Sequence, residues 1–347
     1  MKHEMEDIAQ TEAAKPREPL NVELTANGTD GHHWHNWLVT FLSLSLAGSV
    51  MLYLAVVLID PFSTGRFSLT QRIDFATGNK RLYGAGLVRD LRFNAALFGD
   101  STSFALDPRT IAGASGWRLA QLSVPAATPG NILTIASAFA RQHRGVRTLE
   151  LFVLSQVWCR EIGPNEHPIG QFPDWLYNDS SNRVYLSRIF FSEAAIAAAV
   201  RVGIWLGLAD QMVRADGYRT RVPKRDLALL MEPRPTGGPS PDAPIPAIDV
   251  LAGHVAGLPP DAAVVFVWAP PYINALPADG SVAALRLQAC KKRAQQIAAD
   301  RGNSSFLDLM TENSITSNIA NYQDPLHYNP PAAHQIALAI AGVIPDR

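Results

Sequence analysis

Cysteine is scarce in this 347-residue chain, which has only Cys159 and Cys290. Two cysteines leave room for one structural disulfide and neither demand nor exclude an oxidising compartment. An excess of either charge is also missing, since 30 Lys and Arg face 31 Asp and Glu, for a formal net charge of −1. That balance gives no electrostatic case for a nucleic-acid partner. No internal repeat is present. Charge is thin overall at 18%, against 47% hydrophobic residues, a little greasier than an ordinary soluble protein.

One segment accounts for much of that. From Trp37 to Ile59 the sequence WLVTFLSLSLAGSVMLYLAVVLI holds no charged residue. As a helix it would reach about 34 Å, enough to cross a hydrocarbon core of about 30 Å. The stretch before it is too long and too acidic for a signal-peptide n-region, and no small-x-small site closes the apolar run. A signal anchor is therefore expected over 37–59. Trp34 and Trp37 suit an interfacial position, whereas Tyr53 lies inside the apolar run. Lys2, Lys15 and Arg17 precede the span, and Arg66, Arg72, Lys80 and Arg81 follow it. By charge alone this bias favours a cytoplasmic C-terminal side, but long domains translocate largely regardless of it.

Residues 1–36 read as a disordered polar tail, with His32, His33 and His35 solvated rather than metal-bound because the tail offers no further ligands. Residues 60–92 read as a juxtamembrane connection with some helix. From Phe93 the pattern changes to short apolar runs, Ala95–Phe98, Arg118–Leu122, Leu149–Leu154, Ala263–Trp268 and Ser305–Leu309, each bounded by turn residues. Such runs fit strands covered on both faces. Helical stretches such as Gly130–Gln142 and Ser281–Arg301 lie between them. The alternation predicts a parallel sheet with helices on both faces over 93–345, and its chemistry at the carboxyl ends of the strands.

An insertion of helices and loops is expected at about 155–260. Within it, Ile189–Met212 is as apolar as a second span. Glu193 and Arg201 interrupt it, so a packed helix is expected, with an interfacial helix as the sharper alternative. The Pro-rich stretch Glu232–Ala247 is expected to be a mobile surface loop.

Two short signatures carry the chemistry. Phe98-Gly99-Asp100-Ser101 reads as a strand running into a tight turn that presents a serine, with Asp100 ordering the turn. Alone it could equally be a helix N-cap. Asp324-Pro325-Leu326-His327-Tyr328 stands just before a predicted helix, Pro330–Ile340, with Asn329 placed as its N-cap. Asp324 is close enough to hold the imidazole of His327 in one tautomer. A serine hydroxyl needs a base, and the base an orienting acid, so Ser101, His327 and Asp324 together could perform acyl transfer. The other histidines fit less well. His143 sits in a basic run, His167 among prolines, and His254 and His334 on expected helix surfaces.

These two blocks, with the apolar strand ending in Trp268-Ala269-Pro270-Pro271-Tyr272, resemble the first and last blocks of the SGNH (GDSL-type) hydrolase superfamily. More narrowly, the layout is similar to membrane-anchored bacterial SGNH-like proteins, the group that includes polysaccharide O-acetyltransferases. The resemblance implies an αβα sandwich with a five-stranded parallel sheet of flavodoxin-like layout, Ser101 as nucleophile, His327 as base, Asp324 as orienting acid, and no metal or other cofactor. The middle blocks depart from the pattern. Where the superfamily places an oxyanion-hole glycine, Ser123–Gly130 offers Gly130 or a backbone amide near Ala126. Where it has Gly-x-Asn-Asp, this chain has Leu154-Ser155-Gln156-Val157, so Gln156 would stand in for the asparagine. The oxyanion candidates are thus Ser101, Gly130 and Gln156.

The resemblance implies a single-pass enzyme of the bacterial inner membrane, with its catalytic domain in the periplasm. It would act on acyl esters, chiefly acetyl, of cell-envelope or exported polysaccharide, as esterase or O-acyltransferase. Its partners would be the lipid bilayer, the acylated substrate and a membrane acyl-transfer protein. A catalytically silent scaffold of an envelope-synthesis complex is the alternative that the altered middle blocks leave open.

Overall fold

A computed structural model of the protein describes residues 30–160, 172–178, 180–219 and 225–347. Most of the expected disordered tail, and His167, lie outside the described residues. The chain forms two compact units, Met1–Met51 and Leu52–Arg347. The first contains the larger part of helix α1 (Asp30–Ile59), which begins ahead of the apolar run and is long and apolar enough to cross a membrane. Aromatic rings line one end of it, with Trp34 edge-on to Trp37 at 6.0 Å and Trp37 stacked on Phe41 at 5.4 Å.

In the second unit the last turns of α1 are packed: Val56 and Val57 are buried. Asp60 ends the helix at a positive φ of 51°. Aspartate tolerates that region because its side chain can bond locally, and here its carboxylate accepts from the Thr64 and Gly65 N–H groups. Tyr53, which looked misplaced inside the apolar run, donates its hydroxyl to the Leu186 carbonyl at 2.9 Å.

After α2 (Lys80–Val88), capped by Asn79, come β1 (Ala95–Phe98), a 3-10 turn at Ser101–Ser103, α3 (Pro108–Ala112), β2 (Leu119–Gln121), α4 (Pro129–Gln142) and β3 (Leu149–Leu154). Thr128 and Asn131 form a capping box at the start of α4, which supplies partners for its free N–H groups. The insertion then contributes α5 (Asp174–Tyr177), α6 (Asn182–Arg188), α7 (Ser192–Trp205), α8 (Leu227–Leu230) and α9 (Pro246–Ala256). It holds no strand among the described residues. The chain closes with β4 (Ala263–Trp268), α10 (Val282–Asp300), β5 (Ser304–Asp308) and α11 (Pro330–Ala341), the last capped by Asn329 as expected.

All five strands are parallel, in the order β2-β1-β3-β4-β5. Alternate residues feed two cores. Ala96, Phe98, Phe152, Phe266 and Trp268 pack toward α2, α4, α9 and α10. Leu97, Leu151, Val153, Val265 and Val267 pack toward α3 and α11. The architecture is the predicted three-layer αβα sandwich.

One local expectation differs. His254 is not on a helix surface: its Nε2 lies 2.7 Å from Glu150 Oε2 and its Nδ1 3.3 Å from the Ser137 hydroxyl, all between α9, β3 and α4. The cause is Glu150, a buried carboxylate in the central strand that needs a partner. His143, in its basic run, is buried with its ring stacked on Phe139. The Pro-rich segment is an exposed loop as expected, and its second half is held by buried Arg286, which donates to the carbonyls of Ser240, Ala243 and Pro244 as well as to that of Cys159. Composition marks such a segment as loop but says nothing of carbonyls that a distant arginine will hold.

Candidate active site

Ser101 follows β1 at the carboxyl edge of the sheet, where the strand order turns from β1–β2 to β1–β3. Parallel sheets open a crevice at such a switch point because the connections leave to opposite faces. Gly99 makes the turn tight. A Cβ there would lie 2.5 Å from Ser103 Oγ and 3.2 Å from the Val153 carbonyl, so only glycine fits. Asp100 orders the turn by accepting from the Thr102 N–H at 2.9 Å and the Thr102 hydroxyl at 2.7 Å. Its second oxygen accepts from the Ser155 hydroxyl at 2.6 Å, joining the ends of β1 and β3 across the crevice.

The imidazole arrives from the far edge. Residues 321–329 form a narrow loop in which Tyr322 bridges Tyr328, the Gln323 N–H donates to the His327 carbonyl, and the Asn329 N–H donates to the Asn321 carbonyl. The Trp268–Tyr272 block holds that loop: the Tyr272 N–H donates to the Pro325 carbonyl, and the Tyr322 hydroxyl to the Pro270 carbonyl. His327 Nε2 then lies 2.8 Å from the Ser101 hydroxyl. Its Nδ1 lies 2.7 Å and 2.9 Å from the two Asp324 oxygens. With Nδ1–H donating to the carboxylate, Nε2 is left as an acceptor facing Ser101 Oγ.

Burial pushes the Asp324 carboxyl upward. The His327 ring and the Leu326 and His327 N–H groups outweigh that and hold it below the usual carboxylate range. Asp324 therefore stays charged and can balance an imidazolium.

The oxyanion candidates separate. Ser101 opens its 3-10 turn, so its N–H is one of those with no partner inside the turn. Gly130 lies in the first turn of α4, where its carbonyl accepts from the Thr134 hydroxyl. Gln156 has its amide committed elsewhere, donating to the Ala275 carbonyl at 2.7 Å. Ala126 instead has a positive φ of 49°, a strained conformation for a residue with a Cβ and one that tends to mark functional turns. Its loop is fixed to the Ser101 turn by the Val124 N–H on the Gly99 carbonyl at 3.0 Å, and by the 2.7 Å contact of the Ser123 and Ser103 hydroxyls.

A support under Ser101 is absent from the sequence reading. Gln121, at the end of β2, donates to the carbonyls of Ser103, Phe104 and Leu106, and accepts from Lys80 Nζ at 2.5 Å. The Lys80 ammonium also lies 4.1 Å from the centre of the Phe104 ring. Burial, with help from Arg219 and against Asp216, lowers its pKa to about 7. Nothing local in the sequence around Lys80 signals this contact. Among the described residues, no three His, Cys, Asp or Glu side chains cluster as a metal site would. The two cysteines are bonded to each other, with Cα atoms 5.5 Å apart.

No protein-family model matches the chain, and no curated protein matches it in sequence. Among solved structures, an inhibitor-bound aryl esterase of M. smegmatis aligns over 72% of this chain and 96% of its own, at 12% identity and a TM-score of 0.32.

Proposed function

We propose that this protein is a membrane-anchored serine esterase or O-acyltransferase acting on acyl esters, chiefly acetyl, of cell-envelope or exported polysaccharide. The observation that carries the reading is the chain of contacts from Ser101 Oγ through His327 to Asp324. As the Ser101 oxygen attacks the ester carbonyl, its proton passes to His327 Nε2 and Asp324 stabilises the imidazolium. The N–H groups of Ser101 and Ala126 receive the oxyanion. Each such donor is worth roughly 10²–10³ in rate. Collapse returns the proton to the departing sugar oxygen and leaves an acyl-Ser101 ester. Water, or a second sugar hydroxyl, then gives its proton to Nε2 and takes the acyl group, and Nε2 passes that proton to the departing Ser101 Oγ, which makes the protein a hydrolase or a transferase respectively. The apolar helix α1 supports the anchor, and the Cys159–Cys290 bond supports an oxidising compartment outside the cytoplasm.

The test is turnover of p-nitrophenyl acetate by the full chain in detergent. Ser101→Ala and His327→Ala each abolish it, and the double variant is no worse, since the two act as one unit. Activity that survives Ser101→Ala refutes the site. A folded wild type inert toward both esters and active-site phosphonates makes the protein the catalytically silent scaffold instead.

A further inference from the structure

Ser155, whose hydroxyl bonds Asp100 in the Ser101 turn, leads directly into a 3-10 turn, Gln156–Cys159, at the carboxyl end of β3. That turn, the start of α10 and the Pro-rich segment enclose a cleft of about 500 Å³. Clefts of this size hold small molecules. Most of the lining is apolar, with Val157, Cys159, Pro235, Pro239, Pro277 and Leu287 on its walls.

Three of the described lining residues are polar, and two of them are already engaged. Gln156 gives its amide to the Ala275 carbonyl, and Arg286 donates to four main-chain carbonyls. The third, Arg160, is exposed. A sugar would find few side-chain partners for its hydroxyls on such walls and would lose the water that bonds them, whereas an alkyl chain needs no partner.

The walls are fixed by the chain itself. The Ala278 N–H donates to the Pro235 carbonyl at 2.9 Å, and Arg234 donates to the carbonyls of Leu276 and Pro277. The Cys159–Cys290 bond ties the 3-10 turn to α10. Walls held this way need little ordering when a ligand enters. Gly237 and Gly238 lie outside the left-handed region. A Cβ would meet nothing within 4 Å at 237 and only Ala283, from 3.9 Å, at 238. Neither backbone conformation nor packing calls for glycine at these positions, and their bare backbone leaves the cleft open.

We infer that this cleft receives the acyl chain of the ester and extends the acyl range beyond acetyl to unbranched chains of medium length. The inference rests on the acyl-transfer reading of Ser101 and deepens it. With the ester carbonyl at Ser101 Oγ, the chain runs past Ser155 into the cleft, where each CH₂ exchanges water for an apolar wall.

The experiment measures initial rates of the full chain in detergent with p-nitrophenyl acetate, butyrate and hexanoate. Burying one CH₂ is worth about fourfold, so kcat/KM for hexanoate is expected to exceed that for acetate by at least about tenfold. Gly238→Leu and Ala283→Leu, which narrow the cleft, are expected to bring hexanoate down to the acetate level and leave acetate turnover unchanged. Each variant is compared with the wild type in the same detergent, so partition of the longer ester into micelles cancels. A wild type that turns over acetate and favours it over hexanoate overturns the inference, whether or not the variants fold, and leaves the reading of Ser101 standing. A hexanoate preference that persists in both variants puts the chain elsewhere and also overturns it. So does an equal loss on both esters in a variant still folded by circular dichroism. A wild type inert toward all the esters removes the reading of Ser101 and the inference with it.

Discussion

Asp324 is the residue on which the reading of the site turns, because it fixes which nitrogen of the imidazole faces Ser101. Its carboxylate accepts from the Leu326 and His327 N–H groups as well as from the ring, so the loop conformation and the tautomer are set by one side chain. Asp324→Asn preserves the shape and the two backbone contacts but lets the amide donate to Nδ1, which turns Nε2 into the protonated nitrogen facing Ser101. The expected outcome is a fold unchanged by circular dichroism and a loss of roughly 10⁴ in kcat. A loss under tenfold would mean that Asp324 serves the loop and not the chemistry. The same residue shows how far sequence could reach. Asp324 and His327 are close along the chain and sit before a recognisable N-cap, so their contact is legible. Ser155 is not: its bond to Asp100 crosses between two strands, and no local pattern announces it.

At the scale of elements, β2 and α2 act together beneath Ser101. Gln121 gathers three carbonyls of the turn after Ser101, and Lys80 at the start of α2 holds Gln121 in place. The ammonium is buried, and its pKa falls from 10.5 to about 7. An amine whose pKa falls on folding binds fewer protons in the folded state than in the unfolded one between those two values. Stability therefore rises with pH across that window, by up to about 1.4 kcal/mol per pH unit, and below about 7 the contribution to the slope vanishes. Lys80→Met removes the titration and keeps much of the shape. Urea unfolding from pH 7 to 10 should then give a flatter profile for the variant than for the wild type, and parallel profiles would show that Lys80 does not titrate as argued. Strands β1 to β4 were legible because each is buried on both faces and so reads as a short apolar run, whereas β5, at the sheet edge and half-exposed, shows only Phe306 and Leu307 as its apolar signal. The inward direction of Arg201 on α7 was not, since the run Ile189–Met212 does not say which of its sides meets the core.

At the scale of the whole molecule, the cross-link between Cys159 and Cys290 bears on where the domain resides. It joins the turn after β3 to the middle of α10 across a separation of 131 residues, closing a loop that contains the whole insertion. Closing a loop of that length removes unfolded-state freedom worth up to about 5 kcal/mol, and losing a native bond of this kind costs about 2–5 kcal/mol. Such bonds form and persist mainly in oxidising compartments. The cations that bias the sequence toward the opposite orientation are occupied in the fold. Arg66 donates to the Ser180 carbonyl, Arg72 pairs with Asp74, Lys80 is buried, and Arg81 donates to the Pro125 carbonyl. We therefore expect the domain on the outer side of the membrane. In cells, the protein should resist thiol alkylation until reduced, and Cys159→Ser should lower its unfolding free energy by about 2–5 kcal/mol. A reporter active only after export should work when fused behind Arg347. Freely alkylated cysteines together with a reporter active only in the cytoplasm would place the domain inside and move the substrate there with it.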